Sequence, residues 1–136
     1  MAIFVATDFS VSINGSTALA GYLTQVELKV SANDVTTTAF GSTYVTRVAG
    51  LKEGSLTLTF NQDYAASTVD ATLFPLLGSN ATVVIKPTSS AVSTANPSYS
   101  AVCSVIDLTP VSGQIGDLST FSVTWPTNGT VTRAVA

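Results

Sequence analysis

Gly54-Ser-Leu-Thr-Leu-Thr-Phe-Asn61 is the stretch that decides the fold. Leu56, Leu58 and Phe60 fall at every second position, with Ser55, Thr57, Thr59 and Asn61 between and around them. A strand turns successive side chains to opposite faces, so this segment offers one face to a core and presents hydroxyls on the other. Leu118-Ser-Thr-Phe-Ser-Val-Thr-Trp125 repeats the pattern with Phe121, Val123 and Trp125 inward. Tyr22 to Val30 alternates as well: Val26, Leu28 and Val30 on one side, Gln25, Glu27 and Lys29 on the other. Ala81-Thr-Val-Val-Ile-Lys86 and Tyr99 to Leu108 are rich in β-branched residues and read as two more strands. Phe9-Ser-Val-Ser-Ile13 runs into Asn14-Gly15, a strong signal for a two-residue hairpin. Half-apolar, half-hydroxyl strands separated by turn residues predict a mainly β chain, an antiparallel β-sandwich or barrel-like sheet.

One segment leaves the period of two. Val69, Leu73, Leu76 and Leu77 lie on one face of a helix, with Ser67 or Thr68 as N-cap and Asp70 in the first turn. Gly78 is a natural terminator, whereas Pro75 removes a helix hydrogen bond. The pattern predicts one short flanking helix over about 67–77, regular to about 74 and kinked beyond, with Leu73 and Leu77 against the sheet. Residues 32–49 and 87–97 lack a strong period and read as long loops, which in a compact domain are functional or ordered by a partner. In the first of these, Val35, Phe40 and Val45 are too sparse to build a core of their own. The 136 residues read as a single domain, without repeats, charge blocks or a linker.

Composition narrows the function. Charged residues are 10% of the chain, against about 25% in an average soluble domain, and polarity comes instead from 38 serines and threonines. Lys29, Arg47, Lys52, Lys86 and Arg133 are the only cations, and the net charge is −3. Tight nucleic-acid binding, which draws its affinity from phosphate neutralisation, does not fit. The absence of histidine removes imidazole catalysis and histidine–metal sites. Cys103 is alone, so the chain holds no internal disulfide and no cysteine cluster; its alternating apolar setting predicts a buried structural thiol. Trp125 likewise reads as a core aromatic. Met-Ala-Ile-Phe-Val-Ala-Thr-Asp has no basic leader region, and no apolar run approaches the ~18 residues of a membrane span. The expectation is a soluble product of the cytosol.

Catalytic constellations are missing. The sequence has no phosphate-binding glycine loop, no Gly-x-Ser-x-Gly, and no carboxylates closer than seven residues apart. A calcium loop, which needs oxygen ligands at alternate positions, is not visible. No enzyme activity, cofactor or metal is therefore expected. Strands covered in hydroxyls with few charged residues are poorly defended against pairing with other chains. Composition alone thus leaves two readings level: a neutral-surfaced β-domain, or a subunit built to be covered by its own copies.

Three segments, Asp34-Val-Thr-Thr-Thr-Ala-Phe-Gly41, Ala49-Gly-Leu-Lys-Glu-Gly-Ser-Leu-Thr-Leu-Thr-Phe60 and Asp70-Ala-Thr-Leu-Phe-Pro-Leu-Leu-Gly78, together resemble tail tube (major tail) proteins of long-tailed, non-contractile bacteriophages, of the actinobacterial-phage type. The likeness continues through Pro87-Thr-Ser to Phe121-Ser-Val-Thr-Trp-Pro126 and covers nearly the whole chain. It implies a β-sandwich with one flanking helix, six copies closing into a ring around a continuous inner barrel, and rings stacking into a tube. It also implies a virion tail protein assembled in the host cytoplasm. Its partners would be its own copies and the tape measure, tail terminator and tail-tip proteins, with DNA passing through unbound. A mildly acidic, lysine-poor wall suits such passage, because a basic one would hold the phosphates. Family and residues together make 32–49 the candidate assembly loop, with Asp34, Val35, Phe40, Gly41 and Tyr44 as its contact residues. The alternative is a capsid decoration or adhesin-type β-domain, which exposed aromatic clusters in loops would favour; none is evident in the sequence.

Overall fold

The computed structural model describes residues 3–17 and 19–136. Met1 and Ala2, part of the N-terminal segment read above, lie outside the described residues, as does Ala18.

The chain is mainly β, with two antiparallel sheets, one short helix and no closed barrel among the described residues. One sheet holds four strands in the order β1 (Ser10–Ile13), β4 (Asn80–Lys86), β5 (Ser98–Ser104) and β7 (Thr132–Ala134). The other holds three, β2 (Leu23–Thr36), β3 (Arg47–Asn61) and β6 (Thr120–Pro126), with β3 in the centre.

The alternation in 54–61 works as its chemistry dictates. Leu56, Leu58 and Phe60 are fully buried and stand opposite Trp125, Val123 and Phe121 of β6. Phe60 and Phe121 stack with ring centroids 5.3 Å apart. The four-stranded sheet closes the core from the other side with Val11, Ile13, Ala81, Val83 and Cys103. Each large side chain so buried contributes roughly 1.5–3 kcal/mol. The indole Nε1 of Trp125 donates to the Asp107 carbonyl at 2.8 Å, which satisfies its one polar atom. Burial pushes the Cys103 thiol up to about 11, an unreactive core group.

The helix is shorter than its sequence pattern. Helix α1 spans Val69–Leu73, and Phe74–Leu76 continues as a 3₁₀ turn that accommodates Pro75. Changing from 3.6 to three residues per turn rotates the stripe. Leu73 stays buried and Leu76 packs on the core, while Leu77, expected there, is 47% exposed. Gly78 takes the positive φ expected of a terminator, and its N–H donates to the Val105 carbonyl at 2.8 Å. Thr68 precedes the helix but gives its first turn no side-chain cap; its hydroxyl donates to Asp63 and Ala65 carbonyls.

Asn14-Gly15 forms the expected tight turn, both residues with positive φ and Ile13 and Ser16 exchanging backbone hydrogen bonds. The hairpin stops there, and β1 pairs with β4 instead. Residues 87–97 connect β4 to β5 and are organised by one buried side chain. The Asn96 amide nitrogen donates to the Ser90 and Ala91 carbonyls at 2.9 and 3.2 Å, and its oxygen accepts from Thr88 N–H at 3.1 Å.

Candidate assembly surface

The long loop expected over 32–49 is mostly strand. β2 runs on to Thr36 and β3 begins at Arg47, so only the tip 37–46 lies outside the ladder. The two strands leave the body together as a ribbon. Every residue from 29 to 53 is exposed, 25 in a row, although 15 of them, 29–36 and 47–53, are strand. At ~3.4 Å per residue, the seven positions beyond Lys29 carry this arm about 24 Å from the sandwich.

Gly54 marks its base. The residue is buried; its N–H donates to Thr127 Oγ1 at 3.0 Å, and Thr127 N–H donates to the Gly54 carbonyl at 2.9 Å. A Cβ at Gly54 would approach the Lys29 carbonyl and Thr127 Cγ2 to 3.2 Å each. The missing side chain thus lets the segment after β6 clamp the ribbon where it emerges.

A register shift then sorts the arm's side chains. Ala32 stands opposite Lys52, but Asp34 stands opposite Ala49, so β3 carries one extra residue between them. The shift places Val35 across from Val48 and Thr36 across from Arg47. By register, Val35, Val48 and Leu51 share the face that continues the body's hydroxyl side. Asp34, Arg47 and Lys52 lie on the face that continues the core side. The polarity of the sheet is therefore reversed along the arm.

Of the residues expected to make contacts, Asp34 and Val35 lie in β2 and Phe40, Gly41 and Tyr44 in the tip. Asp34 is ion-paired with Arg47, both side chains more than half exposed. Gly41 has the positive φ its turn requires. Phe40 and Tyr44 are 109% and 85% exposed, two aromatics on one tip that the sequence reading did not count as a cluster. At the neck of the tip the Thr37 and Thr46 hydroxyls meet at 2.8 Å and Thr46 N–H donates to Thr38 Oγ1 at 2.9 Å, and farther out Ser42 N–H donates to the Ala39 carbonyl at 3.3 Å. Arg47 and Val48, inside the expected loop, and Leu51, just beyond it, belong to this surface but were not singled out, because residues exposed on both faces of a ribbon carry no one-sided apolar period.

The outer face of the three-stranded sheet carries rows of small polar side chains. Thr57 meets Thr124 at 3.2 Å and Thr59 meets Ser122 at 2.9 Å, hydroxyl to hydroxyl, with Glu27 and Gln25 beside them on β2. Both edges of this sheet, β2 and β6, pair with no further strand among the described residues. Two shallow grooves flank it. One of about 290 Å³ lies between Ala6, Thr7, Phe9 and β2; the other, of about 320 Å³, lies at the arm base beside Lys52, Glu53 and Thr127. Among the described residues no cluster of three potential metal ligands occurs, and no helix is long and apolar enough to cross a membrane. No protein-family model matches the chain, and no curated protein matches it.

Proposed function

We propose that this chain is a structural, self-assembling subunit of the tail tube type, whose copies form rings that stack into a conduit for viral DNA. The observation that carries the reading is the arm. A two-stranded ribbon is at best marginally stable alone, and this one holds Val35, Val48, Leu51, Phe40 and Tyr44 out to solvent. Ordering it costs about 1–2 kcal/mol per residue, and a neighbouring copy offsets that by covering the apolar side chains at about 25 cal/mol per Å². The open edges of β2 and β6 support strand addition between copies. The hydroxyl rows suit a wall past which a polyanion moves, since they offer it no array of fixed cations.

Electron microscopy and sedimentation of the purified protein test the reading. Rings or tubes are expected, either spontaneously or on a tail-tip template. A protein that stays monomeric at millimolar concentration, and is not built into tails when supplied to a phage lacking its own tube subunit, overturns it. A second reading, a capsid decoration or adhesin-type domain, draws on Phe40 and Tyr44 exposed together on one tip. It requires a monomer that binds capsids or cells and loses that binding in Phe40→Ser.

A further inference from the structure

Asn-Gly occurs twice in the chain, at Asn14-Gly15 and Asn128-Gly129, and all four residues are exposed. The dipeptide is chemically weak. Glycine has no Cβ to shield its N–H, so the nitrogen, once deprotonated, can attack the side-chain carbonyl of the asparagine before it. The structure gives the two pairs opposite settings.

Asn14 is tied to β4 twice. Its N–H donates to the Thr82 carbonyl at 2.7 Å, and its Oδ1 accepts from the Thr82 N–H at 2.9 Å. The side chain thus reaches across to another strand instead of folding back along its own main chain. Asn128 is held by its backbone alone. Its N–H donates to the Val102 carbonyl at 2.7 Å, whereas neither its side chain nor the Gly129 N–H makes a hydrogen bond among the described residues. Asn128 also sits at a junction. Thr127 clamps Gly54 of β3 and bridges to Cys103 of β5, so Thr127 and Asn128 carry the chain from one sheet to the other. Thr127 and Gly129 line the groove at the arm base together with Lys52 and Glu53.

We propose that Asn128 is a site of spontaneous deamidation in the free subunit, that Asn14 is protected from the same reaction, and that the product loosens the base of the arm. The Gly129 nitrogen forms a bond to Asn128 Cγ, the Cγ–Nδ2 bond breaks, and ammonia leaves with the proton given up by the Gly129 N–H. The resulting succinimide takes up one water at either carbonyl and opens to aspartate or isoaspartate. Water is the only co-reactant, and nothing is oxidised or reduced. Both products add a carboxylate beside the groove that already holds Glu53. Isoaspartate also lengthens the main chain by one carbon between the nitrogen that holds Val102 and Gly129, which pulls against the Thr127 clamp. The reaction needs no second copy.

Ageing of the purified protein at mildly alkaline pH, followed by peptide mass spectrometry, reads the one-dalton gain at each asparagine. In the folded protein the gain is expected to build up at Asn128 at least about tenfold faster than at Asn14, whose side chain must first give up its bond to β4. In urea the two sites are expected to react within a few-fold of each other. An Asn14 that reacts as fast as Asn128 in the folded protein overturns the protection. No gain at Asn128 in the folded protein overturns the site, whatever happens in urea. The deamidated fraction, separated by anion exchange, is expected to exchange the Gly54 and Thr127 amides severalfold faster than the intact fraction; unchanged exchange there overturns the effect on the arm base. Asn128→Gln, which would have to close a larger and less favourable ring, is expected to keep the exchange pattern of fresh protein throughout ageing, and loosening in that variant as well overturns the assignment to Asn128.

Discussion

Strand β3 carries both kinds of surface in one continuous piece of backbone. From Gly54 to Phe60 every second residue is buried; from Arg47 to Glu53 every residue is exposed. Both halves are paired to β2 in the same antiparallel ladder, so hydrogen bonding does not distinguish them. What differs is cover. The inner half has β6 beside it and the second sheet beneath it, whereas the outer half has only its hairpin partner. Strand identity is thus local, and burial is supplied by whatever comes to lie on the strand, within the subunit or from outside it.

Mutations in the two halves test that distinction. The largest effect is expected at Leu73→Asp, which buries an unpaired carboxylate beneath the body half. It should cost about 4–5 kcal/mol and lower the melting temperature accordingly. Leu58→Ala, in the covered half of β3, is expected to cost about 2–5 kcal/mol in urea denaturation through the cavity it leaves. Asn96→Ala removes four backbone-directed hydrogen bonds from 87–97. A loss of about 1–3 kcal/mol is expected, with faster proteolysis of that connection. Cys103 gives a pH-dependent effect. Its folded pKa is raised from 9.0 to about 11, so the native state retains a proton that the unfolded chain releases. Stability conferred by the buried thiol is whole below pH 9 and falls as pH rises toward 11, an effect absent from Cys103→Ala. The smallest change in subunit stability, under about 0.5 kcal/mol, is expected for Leu51→Ala in the uncovered half. Amide exchange sharpens the comparison: residues 34–46 should exchange quickly in the subunit and slowly in the assembly. Equal protection in both states would show that nothing covers the arm.

The sequence revealed the body and hid the arm for the same reason. A period of two reports one-sided burial, and the runs around Leu58, Val123 and Val26 display it because a core lies on one side of them. Residues 30–36 and 47–53 are exposed throughout, so their side chains carry no such signal. The extra residue near Gly50 then puts the two strands out of phase, and the glycines at 50 and 54 look like ends of a strand that they interrupt or release. Helix α1 was visible from Val69 and Leu73, but the tightening at Pro75 that turns Leu77 outward is a local geometric response with no trace in the apolar spacing. Asn96 escaped for another reason. A side chain that binds backbone carbonyls leaves no periodic mark, and between Pro87 and Pro97 the residues around it resemble any serine- and threonine-rich loop.

The extra residue between Ala32 and Asp34's partners gives the arm a property that the body lacks. Adding one residue to β2 beside Asn33 would match the extra residue of β3 and restore regular pairing, keeping Asp34 across from Ala49 and Val35 across from Val48 but turning both pairs to the opposite faces of the ribbon. The sandwich, which begins at Gly54, would not register the change. A single codon gained at this point of β2 therefore works as a toggle, exchanging the greasy and the charged sides of the outer ribbon while the rest of the protein folds as before. Lineages of such a protein could change neighbours by changing length rather than by substituting residues.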